Sequence, residues 1–203
     1  MQGNTHQMTG IACAIGAAEI LTLGHVNTTQ LIIAGAIGGF GSLLPDLDIS
    51  KSKMSHNASI VISKCIIILA LMLGSDMFLH THILNKFQFN LIGIQSIALL
   101  AFVGMCIYGK FTKHRTFLHS ITFGLLSALC VFMILPIAAP YYIVGFASHI
   151  VLDLLNHKKV QLLYPTKIGQ FCFNIASSDG TVNYTICAVA SVIALLEIYF
   201  ILR

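Results

Sequence analysis

Seven long apolar stretches follow one another along this chain, at residues 8–23, 31–44, 58–79, 89–108, 117–139, 141–156 and 184–202. They are continuous rather than alternating, so each reads as a helix and none as a barrel strand. Hydrophobic residues make up 57% of the chain and charged residues 9%. Soluble domains run near one quarter charged, so this chain lacks the polar surface to coat a water-soluble globule. The expectation is an all-α polytopic membrane bundle of about seven helices, folded as a single domain over residues 1–203.

The first two runs fall below the ~20 residues that a perpendicular span needs. The second carries Gly35, Gly38, Gly39 and Gly41, which let helix backbones approach closely in lipid. Pro45 ends it, and Pro136 and Pro140 end the fifth. The six cysteines show neither CxxC nor zinc-finger spacing and read as reduced, small apolar side chains. The opening MQGNTHQ has no basic n-region, so no cleaved signal is expected. A net charge of +4 fits a membrane surface and gives no reason to expect a nucleic-acid partner.

Alternating the seven runs across a bilayer separates the basic residues. Lys51, Lys53, Lys110, Lys113, Arg115, Lys158, Lys159 and Lys167 fall on one side, and Lys86 and Arg203 on the other. The first side is therefore expected to face the cytoplasm.

Several ionisable residues fall on that same side. His149 and Asp153, four apart in ASHIVLDLLN, share one helix face one turn apart. Buried ionisable groups need partners, and a divalent cation is one. Asp46 and Asp48 follow Pro45 directly, His114 and His119 flank the start of the fifth run, and His6 precedes the first. Taken singly, each has an ordinary explanation. Asp after Pro commonly caps a turn, His-Arg at a boundary anchors in the interface, and His-x-x-x-Asp can be a structural pair. Together they offer seven ligands, enough for two or three metal ions with a position left for water. Arg115, a planar fork, suits phosphate oxygens.

Other polar residues carry less. Asp76, His80 and His82 lie toward the opposite side, and Glu19 sits well inside the first run. His56 and His157 stand in Lys-containing loops, and Ser178-Asp179-Gly180 reads as a turn.

Four ordered motifs, THQMTGIACAIG, LLPDLDISKS, HRTFLHS and GFASHIVLDLLN followed by QLLYP, resemble the YdjM-type membrane-bound metal-dependent hydrolases. That family belongs to the bacterial inner membrane and has members under LexA control. The resemblance covers residues 5–165 and implies metal-binding roles for His6, Asp46, Asp48, His114, His119, His149 and Asp153. More distantly, the order of motifs is similar to zinc-dependent phospholipase C and P1-type nucleases, helical phosphoesterases with zinc clusters. The resemblance thus implies zinc, with manganese as the alternative. Relatives often carry an acidic residue where this chain reads Gly180-Thr181-Val182-Asn183.

The expected function is hydrolysis of a lipid phosphoester at the cytoplasmic boundary by a metal-activated water. Asp48 would bridge metals or accept a proton, and Arg115 would hold a phosphate oxygen. Two alternatives come from other classes. An ion- or proton-coupled transporter would place its ligands near the bilayer midplane. A non-catalytic scaffold would fill a closed structural metal site.

Overall fold

The structure is a computed structural model that describes residues 1–48, 93–166, 168–178 and 180–203, with Asp48 described in its backbone only. The run expected at 58–79, and with it His56, Asp76, His80, His82 and Asp179, lies outside the described residues.

The described chain is helical almost throughout. It comprises α1 (Gly3–Leu21), α2 (Thr28–Leu43), α3 (Ile94–Phe111), α4 (Ile121–Ile134), α5 (Ala139–Leu154) and α6 (Thr181–Leu202). Three 3-10 turns, Leu44–Asp48, Phe117–His119 and Pro136–Ala138, and the short strands β1 (Val160–Gln161) and β2 (Gln170–Phe171) complete it. Among the described residues, four segments are long and apolar enough to cross a membrane: Thr28–Leu47, Ile94–Phe111, Pro136–Leu154 and Thr181–Leu202.

Local chemistry sets several boundaries. Asn27 caps α2 in a capping box, accepting the Gln30 N–H while the Gln30 side chain accepts the Asn27 N–H. Ser120 caps α4 by accepting the Phe123 N–H. The fifth run is accordingly divided, with a 3-10 turn ahead of Ser120 and the helix proper after it. α1 begins at Gly3, five residues before the expected start.

Packing depends on small residues. A Cβ on Gly38 would lie 2.2 Å from the Ala14 Cβ, and one on Gly145 would lie 2.1 Å from the Gly38 carbonyl oxygen. Backbones of α1, α2 and α5 therefore meet where no side chain fits between them. Beside this trio, Leu44, Leu47, Phe117, Leu118, Phe123, Tyr142 and Phe146 form a buried cluster. The Tyr142 hydroxyl inside it donates to Ser127 Oγ at 2.8 Å, so the buried phenol is satisfied. The outer faces of α4 and α6 expose Leu125, Leu129, Phe132, Val192, Leu195 and Leu196, as lipid-facing surfaces do.

Candidate metal centre

Each candidate ligand is placed by the apolar residues beside it. Leu44 and Leu47 anchor in the buried cluster and fix the turn that carries Asp46; Phe117 and Leu118 do the same for His119. The four-residue spacing in α5 stacks His149 and Asp153 on its buried face. His6 lies in the first turn of α1, fastened from across the bundle. Asn183 Oδ1, at the start of α6, accepts the Thr5 hydroxyl at 2.9 Å and the Gln2 N–H at 3.0 Å. The segments meet at one end of the bundle, where α1 starts, α2 and α5 finish and α4 begins.

His149 has a defined tautomer. Its Nδ1–H donates to the Ser42 carbonyl at 2.6 Å, so Nε2 presents a lone pair. Ser42 belongs to the last turn of α2, whose carbonyls run out of helical partners. Three residues on stands Pro45, which has no N–H to offer it.

The His149 Nε2 lies 3.3 Å from His119 Nε2 and 3.8 Å from Asp46 Oδ1. Asp153 stands between two imidazoles, with Oδ1 3.4 Å from His6 Nε2 and Oδ2 3.4 Å from His119 Nε2. The His6 ring stacks on that of His149, centroids 3.8 Å apart.

These donors suit a divalent cation. Two triads, His6-His149-Asp153 and Asp46-His119-His149, each bring their ligand atoms within 4.8 Å of one another. Tetrahedral zinc with bonds of about 2.0–2.1 Å would set ligand atoms roughly 3.3 Å apart. Three of the contacts above are 3.3 or 3.4 Å. Among the described residues, both ring nitrogens of His6, Nδ1 of His119 and Oδ2 of Asp153 are buried without a hydrogen-bond partner. Leaving such atoms unsatisfied costs about 1–3 kcal/mol each, and coordination through Nε2 and Oδ2 would relieve part of it. The triads share His149, whose single lone pair serves one ion, whereas Asp153 offers a separate oxygen to each side.

Arg115 adopts a left-handed backbone conformation (φ 65°). The sequence suggests a fork facing a substrate phosphate, but the structure turns it inward. Nη2 lies 3.2 Å from both carboxylate oxygens of Asp153, and Nη1 donates to the Lys158 carbonyl at 2.6 Å. Nε is buried without a partner among the described residues. The Met1 ammonium also reaches Asp153 Oδ1, at 3.2 Å.

The remaining candidates sit differently. His114 packs edge-on against the His119 ring, centroids 5.0 Å apart, and belongs to neither triad. Asp48 ends its 3-10 turn two residues beyond Asp46, with its side chain outside the described residues. Glu19 lies thirteen residues along α1 from His6, about 20 Å away at the helical rise. His157 is exposed and pairs through Nδ1 with Asn174 Oδ1. Asp46 is the most open of the five clustered ligands, its side chain 20% exposed against 2% or less for the others.

Sequence reading did not identify the groups that hold the ligands. The Ser42 and Lys158 carbonyls are backbone atoms, without a residue signature. Asn183 enters the sequence reading only within Gly180-Thr181-Val182-Asn183, although a lone amide opening an apolar helix is a signal in its own right.

No curated protein and no solved structure matches the chain. The more distant likeness to zinc-dependent phospholipase C and P1-type nucleases therefore rests on the order of motifs alone. A family model described as YdjM inner membrane protein matches residues 1–202. The chain thus belongs to the YdjM inner membrane protein family.

Proposed function

We propose that the chain is a membrane-bound metal-dependent hydrolase that cleaves a phosphoester of a membrane lipid at the cytoplasmic boundary. The observation that carries this reading is the convergence of His6, Asp46, His119, His149 and Asp153, from four segments, on one end of a membrane bundle. When bound, two or three zinc ions, or manganese in their place, would polarise a phosphoryl oxygen and activate a water. The chain supplies the geometry. Ser42 holds His149 in one tautomer, and Asp153 presents one oxygen to each side. Arg115 aligns Asp153 through two contacts. Asp46 marks the open side, and Asp48, two residues on, is assigned as proton acceptor or bridging ligand.

Basic residues support the cytoplasmic placement. Lys110, Lys113, Lys158 and Lys159 flank the ligand-bearing end, and Arg203 ends the last helix at the other. A lipid headgroup lies at that depth, which favours a phospholipid or polyprenyl phosphate as substrate. Near-complete burial of His6, His119, His149 and Asp153 favours a second reading, a structural metal that staples the bundle.

Metal analysis of the purified protein beside a His149→Ala, Asp153→Ala variant tests the site; equal metal in both would remove it. Hydrolysis of a phospholipid and polyprenyl-phosphate panel with zinc or manganese, by wild type and Asp48→Asn, tests the reaction. Bound metal with no turnover of any panel member leaves the staple.

A further inference from the structure

The segment joining α5 to α6 has both ends on the ligand-bearing side of the bundle, so it lies along that surface. It is tied down firmly. The Phe173 N–H donates to the Leu154 carbonyl at 2.6 Å, and the Ile175 and Ala176 N–H groups donate to the Leu155 carbonyl at 3.0 Å. On the α4 side, Leu162 and Tyr164 carbonyls accept the Ile121 N–H and the Thr122 hydroxyl, each at 2.9 Å.

The first part of this segment turns Val160 and Tyr164 inward, but its later apolar residues point outward. Ile168 is 77% exposed, Phe171 51%, Phe173 62% and Ile175 64%. Phe171 ends the short strand β2, and Asn174, with a left-handed backbone (φ 58°), turns the chain between Phe173 and Ile175. Lys158 and Lys159 stand exposed at the start of the same segment. Large apolar side chains beside lysines, at the end of a membrane bundle, match the chemistry of an element lying in the bilayer interface. Its apolar part meets acyl chains and its ammonium groups meet lipid phosphates.

We propose that residues 157–166 and 168–175 form an in-plane membrane anchor, with Ile168, Phe171, Phe173 and Ile175 set into the interface of an anionic bilayer and Lys158 and Lys159 at its phosphates. The anchor is independent of any hydrolysis. Because Lys158 also holds Arg115 through its carbonyl, the anchor fixes the candidate centre at the depth of the headgroups.

The chain contains no tryptophan, so one introduced indole reports without background. Phe173→Trp, with Ile168→Trp as a second variant in case the first does not fold, is reconstituted into phosphatidylglycerol or phosphatidylcholine vesicles. Val192→Trp, on the exposed face of α6, serves as the deep reference. The expected result is blue-shifted emission that resists iodide. Lipids brominated near the glycerol should quench it more than lipids brominated near the chain ends, the opposite order from Val192→Trp. Quenching should be stronger in phosphatidylglycerol, and a Lys158→Gln, Lys159→Gln background should abolish that preference. Red, iodide-quenched emission would overturn the anchor. So would an indole shielded from both quenchers, which would mean that protein covers this face. Equal quenching in the two lipids would overturn the anionic assignment.

Discussion

Arg115 and Asp153 should behave as one energetic unit, and a double-mutant cycle measures whether they do. Nη2 lies 3.2 Å from each carboxylate oxygen, and the two side chains are 8% and 2% exposed. Unit charges at that separation attract by about 5 kcal/mol at an effective dielectric of 20. Desolvation of both groups takes back much of this. Coupling in contacting pairs runs about 0.5–3 kcal/mol, and a charge pair this buried belongs in the upper part, about 2–3 kcal/mol. Asp153→Asn alone leaves the guanidinium and the Met1 ammonium facing an amide and should cost about 3–5 kcal/mol. Arg115→Gln alone should cost less, because the ammonium remains 3.2 Å from Oδ1. The double variant should then lose about 2–3 kcal/mol less than the sum of the singles. Unfolding of chelated protein in mixed micelles by a denaturing detergent gives the three differences. Additivity within about 0.5 kcal/mol would refute the unit and free Arg115 for a substrate.

Three further substitutions separate the site from the scaffold. Gly38→Ala places a methyl 2.2 Å from the Ala14 Cβ. It should cost about 1–3 kcal/mol and, by parting α1 with His6 from α2, lower metal content; an unchanged Tm would contradict the packing. Asn183→Ala strips the acceptor from the Thr5 hydroxyl and the Gln2 N–H. A loss of about 1–3 kcal/mol is expected, with Asn183→Asp restoring most of it; if both variants fall equally in a thermal melt, the acceptor is not the cause. Asn27→Ala removes the α2 capping box far from the ligands. It should cost about 1 kcal/mol and leave metal content alone; metal loss there would mean that content follows general stability.

Local patterns were readable where one segment determines its own shape. The His149-Asp153 face follows from helical periodicity, and the stop after α2 follows from Pro45. The start of α1 was not readable, because its first turn is held by Asn183, about 180 positions away in the chain. The division of the fifth run had a local signal, Ser120 ahead of an apolar stretch, which the continuous hydrophobicity hid. The direction of Arg115 depends on a left-handed backbone and on a carbonyl 43 residues on, and neither shows in a residue type. Asp48 and the run at 58–79 add no comparison, since the side chain of the one and the whole of the other lie outside the described residues.

Pro45 touches no ligand atom described above, yet it has a chemical part in the centre. Restoring an amide hydrogen at that position, as alanine would, gives the Ser42 oxygen a rival suitor within its own turn. The Nδ1–H of His149 would then share that oxygen with the backbone, and the bond that orients the ring would weaken. A residue usually credited with ending a helix thus also leaves a carbonyl to the imidazole that it orients.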